Sequence, residues 1–163
     1  MIRPAVASDV PAIVGLVREL AAYERASEEA VATEEQVRSV LLGEHPTVFC
    51  DVADVDGTVV GISVWFKNFS TWLGRHGIYL EDLYVTPEHR GEGHGKALLA
   101  TLARRCVDRG YGRLEWSVLD WNQPAIDFYV ALGATAMDGW TVHRLTGRAL
   151  DTLAREAPAA ATP

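Results

Sequence analysis

Two carboxylates stand side by side, Glu81 and Asp82, in a segment whose other members are Ile78, Tyr79, Leu80, Leu83, Tyr84 and Val85. An apolar strand is an expensive place for unpaired charge. The pair therefore reads as proton acceptors, as partners for a cation, or as halves of ion pairs with an Arg or Lys of the same chain. Adjacent strand residues point to opposite faces, so at most one of the two faces a given ligand unless a bulge re-aims the other. Downstream runs Arg90-Gly91-Glu92-Gly93-His94-Gly95. Glycines at alternate positions strip side chains from one stretch of backbone and let its N–H groups approach an anion at a helix N-terminus, although the same glycines would also serve an ordinary turn. Two other phosphate patterns fail here. Gly95-Lys96 is followed by Ala97 where a P-loop needs Ser or Thr, and the third glycine of a dinucleotide fingerprint falls on Lys96. Asn122 and Tyr129 are seven residues apart, which sets both on one face of a helix; the phenol can supply a proton, and a packed core tyrosine would look the same.

The elements that must position these groups follow from spacing. Ile2 to Ala5 reads as a strand. Ser8 or Asp9 can cap a helix carrying Ile13, Val14, Leu16, Val17, Leu20 and Ala21 as one apolar stripe. Thr33 with Gln36 is a capping-box start for a second helix ending near Gly43. Strands over 47–54 and 58–66 flank Asp56-Gly57, a hairpin dipeptide. A loop, NFSTWLGRHG, precedes the strand from Ile78 to Val85, and the glycine run leads into a helix from Gly95 to Arg109. Leu114 to Val118 reads as a strand, Asn122 caps a helix through Leu132 closed by Gly133, and Trp140 to Leu145 reads as the last strand. The order strand, glycine loop, helix is a ligand-binding order.

Composition narrows the classes. At 163 residues the chain fits one domain, read over 1–155, with a patternless tail over 156–163. A net charge of −7 is the wrong sign for a partner of nucleic acid or of an anionic membrane and suits a cationic ligand. Cys50 and Cys106 lack metal or redox spacing and read as buried free thiols. No leader pattern and no run of about 18 apolar residues is present, which predicts a cytoplasmic protein. The histidines, His45, His76, His89, His94 and His143, are scattered, and no metal is expected.

The text around the glycine loop resembles the central motif of the GNAT superfamily of N-acetyltransferases, Arg/Gln-x-x-Gly-x-Gly/Ala, which here stands as Arg90 to Gly95. A second motif of that family is matched by Asn122-Gln123-Pro124-Ala125-Ile126-Asp127-Phe128-Tyr129 followed by Leu132-Gly133-Ala134. Along IYLEDLYV and LDWNQPAIDFY the chain is similar to the diamine and polyamine acetyltransferase group, including its thialysine-acetylating branch. The resemblance implies an α/β (α+β) GNAT fold: a mixed, twisted sheet of about six to seven strands, helices on both faces, and central strands that splay to admit the pantetheine arm.

The same resemblance implies acetyl-CoA as co-substrate, a small amine as acceptor, and a homodimer. Leu83, Tyr84 and Val85 would line the pantetheine, and Arg90, Gly91, Glu92, Gly93, His94, Gly95 and Lys96 would hold the diphosphate. Asn122 would bond the cofactor arm, and Tyr129 would protonate the leaving thiolate. An alkylamine with a pKa of ~10.4 is almost wholly protonated at neutral pH, so a base is needed; the resemblance gives that role to Glu81, through water, and gives the cationic acceptor to Asp82. Tyr23, Glu24, Ser70 and Trp72 would surround the acceptor. Ser70 stands where polyamine relatives carry an acid, which favours thialysine, a lysine analogue or a short diamine over spermine. Rival readings keep the fold and change the acceptor to spermidine or spermine or to another amine (an amino acid, an antibiotic or a protein N-terminus), or remove catalysis and leave an acyl-CoA sensor. The joint presence of Tyr129, Glu81 and Asp82 argues against the sensor.

Overall fold

The computed structural model describes residues 1–158. The expected tail lies outside the described residues from 159 onward. The described chain divides into two compact units, Met1–Trp121 and a second beginning at Asn122.

In the first unit, five strands form one mixed sheet in the order β1-β2-β3-β4-β5. They are β1 (Ile2–Pro4), β2 (Val48–Val55), β3 (Thr58–Ser70), β4 (Arg75–Val85) and β5 (Leu114–Glu115), with β5 alone parallel to its neighbour. Helices α1 (Val10–Tyr23) and α2 (Glu34–Leu42) cover one face, where Ile13, Leu16 and Leu41 pack on Cys50, Val52, Ile62 and Tyr84. Helix α3 (His94–Asp108) covers the other, with Leu98 against Ala53 and Val60. Both cysteines are buried free thiols. Asp51, 2% exposed, ties α3 to the sheet: Arg105 donates to both of its oxygens at 2.7 and 3.0 Å, and the Trp65 indole donates at 2.9 Å. Removing one partner of such a buried pair costs about 3–5 kcal/mol.

Local chemistry accounts for most boundaries. The Thr33 hydroxyl accepts from Gln36 N, and the Gln36 side chain accepts from Thr33 N, closing the expected capping box. Asp56 (φ 49°) and Gly57 (φ 83°) make the β2–β3 turn with both residues left-handed. Asp9 does not cap α1. Its carboxylate accepts from Val6 N and from the Arg3 guanidinium, a charged partner that outcompetes a cap. The expected loop over 68–77 is largely ladder: β3 runs on to Ser70 and β4 starts at Arg75, leaving a tight turn that ends on left-handed Gly74.

The second unit holds α4 (Gln123–Ala131) and α5 (Gly147–Ala154). The strand expected at Trp140–Leu145 is absent among the described residues, and Trp140, Val142 and Leu145 are exposed. Alternating side chains suggest a strand, but only a neighbour's N–H and C=O groups make one, and the pattern is silent on the neighbour. Among the described residues the sheet has five strands, slightly fewer than the expected six to seven, and the mixed α/β fold is the one expected.

Candidate active site

The register of β3 against β4 slips at one place: Trp65 lies opposite Leu80 and Val64 opposite Asp82, leaving Glu81 as an extra residue. Since Val64 and Trp65 are neighbours on opposite faces, Leu80 and Asp82 also lie on opposite faces, although they are two residues apart. Leu80 is buried at 2% exposure, whereas Asp82 is turned to the face that carries α1 and Glu81 is exposed. The bulge is thus the re-aiming device that two adjacent carboxylates need.

A third carboxylate joins them from the end of α1. Burial, then the charges of Glu81 and Glu24, push the Asp82 carboxyl up to about 6. Burial likewise raises Glu24. Glu24 and Glu81 are both within electrostatic reach of Asp82; such a group is costly by itself and becomes favourable when a cation sits among the acids.

Beside the acids the sheet is open. β5 pairs with β4 only at Ile78 and Tyr79, so from Leu80 to Val85 that edge of β4 has no strand partner among the described residues. On the other edge Thr86 N donates to Val60 O at 2.9 Å, so the backbone groups of Asp82 and Tyr84 point toward β3. By alternation those of Leu83 and Val85 point to the open edge. Tyr84 departs from the expectation of a cofactor contact: its backbone faces β3, and its ring is buried in the core against α1.

The chain leaves β4 through a short 3-10 turn, Pro87–His89, and enters α3 through Gly91 (φ 82°) and Gly93 (φ 87°). Both conformations favour glycine, and a Cβ at either would meet nothing within 4 Å, so backbone conformation and open space are what glycine supplies here. The first helical bond of α3 is Ala97 N to Gly93 O at 2.9 Å. The amides of His94, Gly95 and Lys96 have no intrahelical acceptor and carry the positive end of the helix dipole.

Side chains around the loop are less as expected. Arg90 donates to Val85 O at 3.0 Å and lies over the rings of Tyr23 (5.3 Å) and Tyr84 (5.4 Å), so its charge is engaged with the α1 face. Lys96 is exposed. Glu92 is held by His89 and His94, each ring 3.1 Å from the same oxygen, and these contacts keep its carboxyl below the usual range. The reading of the histidines as scattered is corrected for these two, because a turn and a helix start bring them together across Glu92.

Tyr23 sits with Trp121 at 5.9 Å between ring centroids, and Arg25 lies over the Trp121 ring at 5.1 Å. Trp121 and Arg25 were missed by sequence reasoning; the tryptophan's place directly before Asn122 was the available signal. Ser70 and Trp72 are not brought to the acids within the chain. From Val64, opposite Asp82, β3 runs six residues to Ser70, about 20 Å at the rise of a strand. Ser70 is buried and accepts from Leu73 N at 3.2 Å as a turn residue, while Trp72 is 86% exposed at the hairpin tip. In the second unit, Asn122 starts α4 with its Oδ1 accepting from Ala125 N, and Tyr129 lies on the same helix, half-buried beside Phe128.

The acetyltransferase (GNAT) family model matches residues 14–134. The thialysine N-epsilon-acetyltransferase of Bos taurus is 41% identical across 94% of this chain and 96% of its own length. The enzyme of the same name from Mus musculus is 37% identical with the same coverage, and an L-ornithine N5-acetyltransferase of Arabidopsis thaliana is 32% identical across 93% of this chain and 86% of its own. Among solved structures, an integron cassette protein from the mobile metagenome of V. cholerae superposes with a TM-score of 0.79 at 26% identity, covering 96% of this chain and 98% of that one. A strand edge open beside an amide-lined helix start, and relatives matched nearly end to end, lead to one statement: the chain belongs to the GNAT acetyltransferase family and is an N-acetyltransferase that uses acetyl-CoA as co-substrate.

Proposed function

We propose that the protein acetylates the terminal amine of thialysine, a closely related lysine analogue or a short diamine. The observation that carries this reading is the group of Glu24, Glu81 and Asp82 set beside the open edge of β4. Three acids suit an acceptor with one reacting ammonium and one further cationic group. The thialysine-acetylating relatives support the same choice.

In this reading acetyl-CoA supplies the acetyl group as a thioester. The N–H groups of Leu83 and Val85 bind the pantetheine along the open edge, and those from Gly91 to Lys96 bind the diphosphate. Asp82 holds the acceptor cation. Glu81, exposed at the bulge, receives the ammonium proton through water, so that the neutral nitrogen can form the C–N bond. As the C–S bond breaks, Tyr129 gives its proton to the sulfur and is restored by the second proton, which the nitrogen releases as the amide forms; Asn122 helps to hold the cofactor arm. Polarisation of the thioester rests on backbone amides, and the step calls on no metal.

The family match runs through α4, which supports treating 1–155 as one acetyltransferase domain. Exposed Met137, Trp140 and Val142 support a homodimer, an arrangement the resemblance also implies. Two free thiols support a cytoplasmic setting, the net charge disfavours nucleic acid as a partner, and no helix among the described residues is long and apolar enough to cross a membrane. Mass spectrometry of a panel of amines incubated with acetyl-CoA and the pure protein tests the proposal. Thialysine or a short diamine should gain one acetyl group fastest, and a panel in which only aminoglycosides or peptide N-termini react would replace it.

A further inference from the structure

Three side chains that acetyl transfer does not call on converge at the loop before α3. His89 ends the 3-10 turn, Glu92 lies between the two left-handed glycines, and His94 opens the helix. One ligand atom from each of the three residues lies within 4.8 Å of the others, and Glu92 Oε2 is 3.1 Å from both His89 Nδ1 and His94 Nε2. We propose that these three residues form a binding site for a divalent first-row transition ion of the zinc type, with the remaining positions taken by water.

Donor chemistry and spacing both favour such an ion. Two imidazoles with one carboxylate are ligands for Zn²⁺ and its neighbours, whereas Mg²⁺ and Ca²⁺ call for oxygen donors. Ligands bound to one such ion at about 2.0–2.2 Å lie roughly 3–3.5 Å from each other. Both nitrogen-to-oxygen separations are already in that range. Only the two rings must close on each other, and their centroids are 6.2 Å apart. The rings are partly held, with side chains 33% and 18% exposed, while Glu92 at 51% leaves the cluster open to solvent. All three ligands come from one short loop, so little chain entropy is lost in gathering them. The turn reversals at Gly91 and Gly93 are what bring positions 89, 92 and 94 to one side. Glu92 is the lone carboxylate between Arg90 and Lys96, so an ion there neutralises the one anionic side chain of a loop whose backbone otherwise faces anions.

The test uses the full chain without a histidine tag, freed of metal by a chelator and dialysed. Calorimetric titration with ZnCl₂ should show one ion per chain, and Co²⁺ should give visible d–d absorption as it saturates the same site. His89→Ala and His94→Ala should each weaken Zn²⁺ binding about tenfold or more, as should Glu92→Gln, which keeps the size and hydrogen-bonding capacity of the side chain. His76→Ala and His143→Ala should leave the affinity unchanged, and circular dichroism reads whether each variant is folded. No saturable event near one per chain, or wild-type affinity in the folded His89 and His94 variants, overturns the proposal. No cofactor or amine is present in the titration, so its outcome is independent of the acetyl-transfer reading.

Discussion

Leu80 and Asp82 lie two positions apart on β4 yet face opposite sides of the sheet, because Trp65 stands opposite one and Val64 opposite the other. The register slip at Glu81 lets one strand send an apolar side chain into the α3 core and a carboxylate toward α1. The placement carries a stability penalty. Asp82 titrates near 6 in the fold against an ordinary 3.8, so the unfolded chain ionises first, and the folded state bears a penalty that grows between those values and is complete above them. The shift corresponds to about 3 kcal/mol at most. Asp82→Asn should therefore stabilise the protein by roughly 1–3 kcal/mol at pH 8, with the gain vanishing near pH 4, while lowering kcat/KM for the amine. Urea unfolding at both pH values measures the first part. An equal effect at pH 4 and 8 would mean that packing, not charge, is responsible.

The same acid should shape the rate profile. If ionised Asp82 holds the acceptor cation, kcat/KM rises with pH through about 6. Glu24→Gln removes one of the charges that raise Asp82, so the acid limb should move to lower pH. Profiles of both proteins over pH 5 to 8 decide this, and an unmoved limb would detach Glu24 from the site.

At the loop, Gly93→Ala separates backbone conformation from ligand access. An added Cβ meets nothing within 4 Å in the folded chain, so the stability cost is the left-handed strain alone, about 1–2 kcal/mol. Cofactor binding should suffer more, because the methyl group stands where an anion must approach the α3 amides. CoA affinity by calorimetry should fall about tenfold or more while the thermal transition shifts by only several degrees. Unchanged CoA affinity would return the glycine to the role of a plain turn.

Tyr129→Phe should lower kcat far more than it changes CoA affinity, since the proton is needed only as the C–S bond breaks. A phenylalanine variant with full turnover would make Tyr129 a packing residue beside Phe128.

What the sequence disclosed divides along physical lines. Local signals were legible: the Thr33–Gln36 box, the Asp56-Gly57 turn and the glycine entry to α3 each depend on a few neighbouring residues. The carboxylates at 81 and 82 could be recognised as anomalous in an apolar strand, but the bulge that sorts them is a property of pairing with β3, which no single strand encodes. The strand expected at Trp140–Leu145 failed for the same reason. Glu92 and its two histidines escaped notice because their convergence needs the turn geometry of Gly91 and Gly93, not a recognisable ligand spacing.

Acceptor choice is where sequence and structure differ most. By resemblance, Ser70 replaces an acid of polyamine enzymes and so sets the preference. In the fold Ser70 is a buried turn residue whose oxygen accepts from Leu73 N, about 20 Å along the ladder from the residue opposite Asp82. An aspartate there can make the same turn contact and would add no charge to the acid group of its own chain. That group offers Glu24, Glu81 and Asp82, sufficient for one reacting ammonium and one neighbouring cationic centre. A long polyamine has further ammonium groups, which need carboxylates at matching intervals or continued hydration. Wild-type protein should therefore show a higher kcat/KM for thialysine than for spermine. Ser70→Asp should leave that ratio within about twofold, whereas Glu24→Gln should reduce kcat/KM for thialysine about tenfold, the loss of one charge-assisted contact. Specificity constants for both amines in the three proteins decide the matter: a Ser70→Asp enzyme that gains spermine activity while Glu24→Gln loses nothing would move the acceptor site from the α1 end to the hairpin.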